Sequence, residues 1–369
     1  MSANNAFHIA VLPGDGIGHE VMRPCLDLLE ASAKLVGGLS FRFEQHAAGA
    51  VHFRDTGVAL PRAALDASRR ADAILLGAMG WPEIRYPDGT EIAPQLDLRF
   101  EFGLFAGVRP VRTLPSMPAI LADKRAAHLD FVVIRESTEG LFASRGKGVV
   151  IDDREARDTM VITREVCEPL FDFAFSLARQ RKANGGKGIV ACVDKANVFT
   201  SLAFFRKIFD ERAKLNGDIR ADHAYVDATA LDMIRRPWSL DVLVTENMFG
   251  DILSDLGAGL MGGMGFAPSA DIGADHAVFQ PCHGTAPDIT GQGRANPTAM
   301  ILSGAMMLEW LGHKHRRPQA IRAGLLIRAA VDHAFAHGLS PYEVGGSHGT
   351  RDVAAGVLSA LDEMALEPL

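Results

Sequence analysis

One stretch near the start of the chain decides the fold: His8-Ile9-Ala10-Val11-Leu12-Pro13-Gly14-Asp15-Gly16-Ile17-Gly18. Its first half predicts a short buried strand, and its second half, from Pro13, predicts a tight turn. Residues 20–36 then place apolar side chains, Val21, Leu28 and Leu29 among them, at the spacing of a helix. A strand that turns directly into an amphipathic helix is typical of α/β proteins.

The same alternation of strand and helix continues along the chain. Further strands are predicted at residues 41–46, 71–76, 131–134, 189–193, 224–226 and 241–245, and further helices at 165–181, 249–260, 295–310 and twice after Arg316. Strands that alternate with helices favour a largely parallel core sheet. Residues 145–163 fit neither pattern and could form an extended arm.

The composition is that of an ordinary globular protein. Of the 369 residues, 48% are hydrophobic and 22% are charged, which suits one large domain or two intertwined domains. The formal net charge of −7 disfavours binding to nucleic acid or to an anionic membrane surface. No apolar run approaches the roughly 18 residues of a membrane span, and residues 1–7 lack the apolar core of a signal peptide.

The cysteines are scattered through the chain and form no CxxC pair: they are Cys25, Cys167, Cys192 and Cys282. Such spacing indicates reduced thiols rather than a disulfide framework or a zinc site. We therefore expect a cytoplasmic protein.

The turn Gly14-x-Gly16-x-Gly18 lacks the GxGxxG spacing of a dinucleotide-binding fingerprint. No acidic residue ends a matching second strand in the usual way. We interpret these glycines as a tight turn that lets a ligand approach the backbone.

Three arginines are candidates for binding carboxylates. Arg99 and Arg109 stand close together in the chain, and Arg135 follows the predicted strand 131–134. Any one of them alone would more often be a surface charge, but the end of a strand in an α/β sheet is a common ligand site. Because a guanidinium group binds a carboxylate with two hydrogen bonds, three arginines suit a dicarboxylate.

Asp251 and Asp255 are four residues apart on a predicted helix, so both carboxylates lie on one face. They could bind a hard divalent cation, Mg²⁺ or Mn²⁺. They could equally be acids favoured near a helix N-terminus by the helix dipole. The residues themselves leave both interpretations open.

Two further segments place reactive groups after strands or in a small-residue loop. Lys195 follows the strand 189–193, where a lysine can take part in proton transfer, and Asp227 follows the strand 224–226. His283-Gly284-Thr285-Ala286-Pro287-Asp288 leads into a helix through Asn296-Pro297. It could be a surface turn, but its density of small residues favours a loop on which a nucleotide lies against the backbone.

Together these segments resemble the isocitrate/3-isopropylmalate dehydrogenase family over nearly the whole chain. The matching stretches are Leu12–Gly18, Arg99 to Pro110, Arg135–Gly140, Val193–Asn197, Thr245–Asp255 and His283–Asp288. Each is weak alone, but their order and spacing are specific.

The resemblance implies a non-Rossmann α/β fold with two domains, a central mixed sheet and an interdomain cleft. It places the nucleotide-binding domain at residues 1–109 plus 262–369, and the substrate, metal and dimerisation domain at 110–261. It also implies a homodimer with shared active sites, in which residues 145–162 form the arm that joins the subunits.

Carried onto this chain, the resemblance also implies the roles of the candidate residues. Arg99, Arg109, Arg135 and Leu96 would bind the substrate, together with Lys195, which would relay the hydroxyl proton from the partner subunit. Asp251, Asp255 and Asp227 of the partner subunit would bind Mg²⁺ or Mn²⁺, and Asp227 would belong to the catalytic set with Lys195.

The cofactor would bind at His283, Gly284, Ala286, Asp288 and Asn296. An acid at Asp288 is similar to the NAD-using members, whereas NADP users carry lysine there, and an aspartate repels a 2′-phosphate. The implied reaction is NAD-dependent oxidative decarboxylation of a 3-substituted malate, which for 3-isopropylmalate belongs to leucine biosynthesis.

Phe142 departs from the family pattern, because relatives usually carry a tyrosine seven residues after the arginine that matches Arg135. That tyrosine would protonate the enolate, and phenylalanine has no proton to donate. Three interpretations remain open: Lys195 with water replaces it, the last step is slow, or the chain is a non-catalytic regulatory relative.

The segment before Arg99, which reads the variable substituent in the family, matches no subgroup. Isocitrate users usually carry serine and asparagine at Ala93 and Gln95. Isopropylmalate users usually carry leucines at Gln95 and Leu96 and glutamate at Ile92, and malate and tartrate relatives share the leucine pair. Gln95 could bind a polar substituent, while Ile92 and Leu96 could line an apolar one. The Lys195 segment favours 3-isopropylmalate, with tartrate or D-malate as the alternative.

Overall fold

The computed structural model describes residues 6–366, so residues 1–5 of the polar start and the last three residues lie outside it. Twelve strands occupy β1 Ala6–Gly14, β2 Ser40–Gln45, β3 Ala73–Ala78, β4 Ala106–Arg112, β5 Asp130–Glu136, β6 Val149–Ile151, β7 Glu155–Arg157, β8 Ile189–Asp194, β9 Arg220–Tyr225, β10 Val242–Thr245, β11 Pro268–Ile272 and β12 Ala277–Pro281.

Eleven α-helices lie between and after these strands. They are α1 Gly18–Val36, α2 Ala50–Thr56, α3 Arg62–Arg70, α4 Pro94–Glu101, α5 Arg164–Ala183, α6 Thr200–Ala213, α7 Val226–Arg235, α8 Asn247–Met261, α9 Thr298–Lys314, α10 Pro318–Ala336 and α11 Thr350–Leu366. Of the described residues, no helix is both long enough and apolar enough to cross a membrane.

Ten of the strands form one sheet in the order β2-β1-β3-β12-β11-β4-β5-β10-β8-β9. The first four are mutually parallel, and so are the last four. The pairs β12–β11, β11–β4 and β4–β5 in the middle are antiparallel. The predicted α/β class and mixed sheet are confirmed, and the sheet is largely parallel, as expected. Three strands at its centre, β4, β11 and β12, were not predicted, and the antiparallel pairings lie there.

Helices cover both parts of this sheet. Helices α1, α9 and α10 pack on one another beside the β1 side, while α5 and α6 pack beside β8 and β10. Between them, α8 packs against β4 and β5 at the centre of the sheet. All four cysteines are free, as predicted, and Cys25, Cys167 and Cys192 are buried in the core.

Residues 145–163, predicted as an irregular arm, contain the antiparallel hairpin of β6 and β7. Its apolar side chains Val149, Val150 and Ile151 are exposed, Val150 by 72%. An exposed apolar hairpin of this kind is a surface suited to contact with another chain.

The glycine turn after β1 approaches protein backbone rather than open space. A Cβ added at Gly16 would lie 2.2 Å from the carbonyl oxygen of Thr285, and the amide of Ile17 donates to that same oxygen at 3.0 Å. Asp15 is buried and accepts backbone hydrogen bonds from Ala50 and Gly80. The glycines therefore allow the turn to seat against the loop at residues 283–288, which differs from the ligand approach that we expected.

Candidate active site

A cavity of about 170 Å³ lies where α4, β4, β5 and α8 meet. It brings together five of the charged residues that the sequence analysis selected: Arg99, Arg109, Arg135, Asp251 and Asp255. The loop residues His283 and Gly284 line it from the other side. One chain thus joins the predicted carboxylate-binding, metal-binding and cofactor-binding groups around a single space.

The three arginines reach this cavity from different elements and are all buried, with exposed fractions of 7%, 5% and 4% for Arg99, Arg109 and Arg135. Arg99 lies on α4, Arg109 on β4 and Arg135 near the end of β5. Burial and the neighbouring charge of Arg99 lower the pKa of Arg135 to about 10, so it stays cationic at neutral pH. Three buried cations need anionic partners, from the protein or from a ligand.

Asp271 supplies one such partner and was missed in the sequence. It lies on β11, one of the unpredicted strands, and is 1% exposed. Its carboxylate accepts from Arg99 Nε at 3.0 Å and from Arg109 Nη2 at 3.1 Å. Burial tends to raise the pKa of Asp271, but the two arginines outweigh it and hold the pKa at about 2. The only sequence signal was an acid inside an apolar segment.

Helix α8 carries the two candidate metal ligands. Its N-cap is Glu246, whose buried side chain accepts hydrogen bonds from the amides of Phe249 and Met248 at 2.7 and 3.1 Å. Asp251 forms an ion pair with Arg135, and burial together with the charge of Asp251 raises the pKa of Asp255. The two carboxylates therefore share one region of the cavity, as their spacing predicted.

A close contact locks α8 against β5. A Cβ added at Gly250 would lie 2.6 Å from Cβ of Arg135, so only glycine lets the helix approach this closely. Arg135 Nε also donates to Oδ1 of Asn247 in the first turn of the helix, at 2.9 Å. The aspartates of α8 are thereby fixed relative to the arginine.

Lys195 and Asp227 lie together but outside this cavity. Lys195 Nζ is 2.7 Å from Asp227 Oδ1, and the side chain of Asp227 is 69% exposed. This ion pair lowers the pKa of Asp227. Within residues 6–366 of one chain, no three His, Cys, Asp or Glu side chains cluster as a metal site, so Asp227 does not join Asp251 and Asp255 in the same subunit.

The position of Lys195 is set by a buried ion pair next to it. Asp194 at the end of β8 is fully buried and accepts two hydrogen bonds from Arg206, at 2.8 and 2.7 Å. It also accepts from the amide of Ala196 at 2.8 Å. Because both neighbours of Lys195 are held in this way, its backbone has one arrangement and its amine extends from a fixed base.

The loop at residues 283–288 combines a half-buried histidine, whose Nε2 atom is buried, with an open backbone. His283 Nδ1 donates to the carbonyl of Gly284 at 2.8 Å, which leaves Nε2 as a buried acceptor without a partner. Burial lowers the pKa of His283, so the ring is neutral. Nothing lies within 4 Å of a Cβ added at Gly284, and Asp288 is exposed.

Two other predicted cofactor residues already have contacts within the protein: Ala286 lies in the loop, and Asn296 lies beyond it, just before α9. Ala286 has a positive φ of 39° and packs against the core. Asn296 is buried and already paired, because its amide donates to Glu343 at 3.0 Å and its oxygen accepts from the hydroxyl of Thr298 at 2.7 Å. The side chain of Asn296 therefore joins the start of α9 to Glu343.

The residues before Arg99 were expected to contact the C3 substituent of the substrate. In the structure they lie in different environments. Leu96 and Phe142 line a separate, open cavity of about 710 Å³ beside the β6–β7 hairpin. Ile92 is fully buried in a small cluster with Ala50 and Ala59, so the expectation that it lines an apolar substituent is wrong. Gln95 lines the arginine cavity, and its Oε1 is buried without a hydrogen-bond partner.

Comparison with known proteins agrees with this arrangement. Residues 8–357 match the family model described as isocitrate/isopropylmalate dehydrogenase. The chain is 39% identical to a 3-isopropylmalate/3-methylmalate dehydrogenase of Methanocaldococcus jannaschii, covering 96% of this chain and 99% of that one. It is 40% identical to a 3-isopropylmalate dehydrogenase of Moorella thermoacetica, covering 90% and 91%.

A solved structure shares the fold. The isocitrate dehydrogenase of Methylococcus capsulatus superposes with a TM-score of 0.84 at 34% identity, covering 96% of this chain and 99% of that chain. The predicted family, fold and class of enzyme are confirmed by these matches. The chain belongs to the isocitrate/isopropylmalate dehydrogenase family.

Proposed function

We propose that the protein catalyses the NAD-dependent, Mg²⁺- or Mn²⁺-assisted oxidative decarboxylation of a 3-substituted malate, and that 3-isopropylmalate is its substrate. The observation that carries this proposal is the cavity with three buried arginines and two aspartates. Relatives at about 40% identity are 3-isopropylmalate dehydrogenases.

The charges around the cavity suit a divalent cation together with a dicarboxylate. Three arginines are matched by three aspartates, Asp251, Asp255 and Asp271. A divalent cation at Asp251 and Asp255 would leave two positive charges, which the substrate's carboxylates would neutralise. Carboxylate oxygens are the ligands that Mg²⁺ and Mn²⁺ prefer, and Asp227 of the partner subunit would complete the set.

Each residue then has one task in the reaction. Arg99, Arg109 and Arg135 hold the two carboxylates in one orientation. The partner's Lys195, paired with the partner's Asp227, relays the proton of the C2 hydroxyl. A cation held by Asp251 and Asp255 would supply Lewis-acid chemistry at the C2 oxygen, and NAD held by the loop at residues 283–288 would supply the hydride acceptor.

The loop at residues 283–288 would bind NAD. His283 Nε2 is a buried acceptor that needs a donor, and the backbone at Gly284 is open to approach. Asp288 is exposed, where it would accept hydrogen bonds from ribose hydroxyls and repel a 2′-phosphate. Ala286 would contribute through the conformation of this loop, and Asn296 through its position just before α9.

A homodimer would bring the separated groups together. Exposed apolar side chains occur on α7 and α8, namely Leu231, Ile234 and Ile252, and on the β6–β7 hairpin. We assign residues 1–109 plus 262–369 to the nucleotide-binding domain and residues 110–261 to the domain that carries this surface. The first boundary falls within β4, the strand through which the two parts of the sheet are joined.

Two observations support other candidates. Gln95 places an unpartnered polar atom in the cavity, which would suit the polar substituent of tartrate; D-malate, the other alternative, has no 3-substituent for it to bind. Phe142 has no acidic proton, which favours a non-catalytic regulatory relative.

The deciding experiment is an NADH-absorbance assay with Mn²⁺ and each nicotinamide cofactor. The acids are 3-isopropylmalate, D-malate, tartrate, isocitrate and homoisocitrate. We expect NADH formation from 3-isopropylmalate, and its loss in Lys195→Ala and Asp251→Ala. Turnover of another acid alone would correct the substrate, and binding of NAD and acid without turnover of any would support the regulatory relative.

A further inference from the structure

Asp271 lies behind the arginines and does not line the cavity itself. Four side chains converge on its carboxylate: Arg99, Arg109 and Gln280 at 3.0, 3.1 and 2.9 Å, and the hydroxyl of Ser137 at 3.4 Å. No solvent reaches it, since it is 1% exposed. Its contacts therefore act on the arginines rather than on a ligand.

Asp271 occupies some of the N–H donors of the two guanidinium groups and leaves others for a ligand. Arg99 gives its Nε to Asp271, so both of its terminal Nη groups remain for a ligand in the cavity. Arg109 gives Nη2 to Asp271 and Nη1 to the carbonyl oxygen of Ala270 at 3.0 Å. One carboxylate thus fixes the planes of two neighbouring guanidinium groups.

Charge is as important as shape at this position. Arg99, Arg109 and Arg135 are like charges in one buried space, and each lowers the pKa of Asp271. Without a carboxylate behind them, Arg99 and Arg109 would repel each other and lose their common anchor. A ligand carboxylate would then bind to groups that are no longer held in one orientation.

We propose that Asp271 is a positioning residue that aims Arg99 and Arg109 at one carboxylate of the substrate. This inference rests on the proposed function, because it concerns how that site recognises a dicarboxylate. The role needs a carboxylate behind Arg99 and Arg109, and the strand that carries this carboxylate is secondary.

Gln280 offers a way to test the charge apart from the fold. It lies on β12, two residues beyond Val278, the residue that pairs with Asp271 in the antiparallel register. Such diagonal neighbours lie on the same face of a sheet. Gln280 also lines the cavity, so Gln280→Glu in an Asp271→Asn background would move the carboxylate to the adjacent strand.

The experiment measures dissociation constants by titration calorimetry with 3-isopropylmalate and with D-malate, in Mn²⁺ buffer and without turnover. We expect Asp271→Asn to weaken binding by about tenfold or more, since a charge-assisted anchor of two arginines is lost. The double variant Asp271→Asn/Gln280→Glu should recover part of that loss. KM for NAD should not change in either variant.

Asp241→Asn is the matched control. Asp241 is also buried and accepts from an arginine, Arg181 Nε, at 2.8 Å, but it does not line the cavity. Its variant should lose thermal stability while the affinity for both acids stays at the wild-type value. Circular dichroism melts show that each variant is folded at the assay temperature.

The outcomes separate this inference from the proposed function. Unchanged affinity in Asp271→Asn, or an equal loss in Asp241→Asn, would overturn the positioning role while leaving the dehydrogenase intact. If Asp271→Asn does not fold, the double variant Asp271→Asn/Gln280→Glu decides. Near-wild-type affinity of the double variant for the acids would support the positioning role. A folded double variant that binds no acid would contradict that role. A wild-type protein that binds neither acid would overturn both proposals.

Discussion

Phe142 lies beside Arg135, with the guanidinium carbon 5.0 Å from the centre of the phenyl ring. The ring face attracts the cation and helps to hold Arg135 in place. It also keeps water away from one side of the guanidinium. Phe142 therefore retains the packing function of the tyrosine that relatives usually carry here, and it lacks only the hydroxyl.

We expect Phe142→Tyr to increase kcat of the decarboxylation, because a phenol can donate a proton where the phenyl ring cannot. General acid catalysis contributes roughly 10²- to 10⁴-fold where it acts, so even a poorly placed hydroxyl should give about a tenfold gain. The measurement is kcat by NADH formation, with Phe102→Tyr, at the C-terminal end of α4, as the control. A kcat that falls or stays constant would show that proton donation does not limit the rate.

Gln95 gives a second prediction at this scale. Its buried Oε1 has no partner, and an unsatisfied polar atom weakens the binding of an apolar group beside it. Gln95→Leu should lower KM for 3-isopropylmalate by roughly threefold to tenfold and raise KM for tartrate. Steady-state kinetics on both acids test this. The opposite change in the two KM values would mean that Gln95 binds the malate backbone instead of the substituent.

Helix α8 is the element on which most of the site depends. Its first turn is fixed by Glu246 and Asn247, its second carries Asp251, and Asp255 follows one turn later. The side chain of Glu246 is fully buried and satisfies two backbone amides that have no partner within the helix. The N-cap therefore couples the stability of the helix to the placement of both aspartates.

Glu246→Ala should destabilise the protein by at least about 1 kcal/mol, the usual cost of losing an N-cap. It should also weaken Mn²⁺ binding, since α8 would no longer begin at a fixed point. Urea denaturation and Mn²⁺ titration measure the two effects. Glu165→Ala, in the exposed first turn of α5, is the control and should change stability by less than about 0.5 kcal/mol. Equal effects in both variants would contradict the special role of the cap.

The sequence predicted those strands that lead directly into a turn or a helix. β1 with α1, β8 with the Lys195 turn and β10 with α8 all follow local hydrophobic periodicity, which one segment carries by itself. The arginine and aspartate candidates were found for the same reason. Their types and spacing were visible in short stretches of chain.

The central strands escaped prediction for a physical reason. β11 and β12 form a short hairpin, but each also pairs with a strand that is distant in sequence, β11 with β4 and β12 with β3. β4 lies between β11 and β5 and pairs antiparallel with both. Pro268-Ser269-Ala270-Asp271-Ile272 has no clear alternation, since all of its residues are buried. Asp271 was missed with its strand, because its importance depends on arginines that only the folded chain brings near.

In a single chain, Lys195 and Asp227 lie apart from the cavity to which we assign them a role. Their ion pair lies at the ends of β8 and β9, whereas the aspartates lie on α8. Exposed Leu231 and Ile234 on α7 lie in the same part of the fold. A symmetric dimer would place these groups at the partner's cavity, with the same contacts made twice.

Shared sites predict complementation between inactive variants. Homodimers of Lys195→Ala and of Asp251→Ala should both be inactive. A heterodimer of the two can be purified through two different tags. Because each site would take Asp251 from one subunit and Lys195 from the other, the heterodimer has one intact site and should show about half of the wild-type rate. NADH formation by the purified heterodimer is the measurement. An inactive heterodimer would mean that Lys195 and Asp251 act within one subunit.

The parallel pairing of β3 with β12 has a consequence for how the protein is made. Ile74 pairs with Val278, so about 200 residues must leave the ribosome between the two strands, which takes roughly 10–40 s at ordinary rates of synthesis. During that interval the edge of β3, with Leu75 and Leu76, is open, while the strands from β4 to β10 can already pair. Until β12 is made, β3 therefore carries an unpaired edge, which is a template for pairing with other chains.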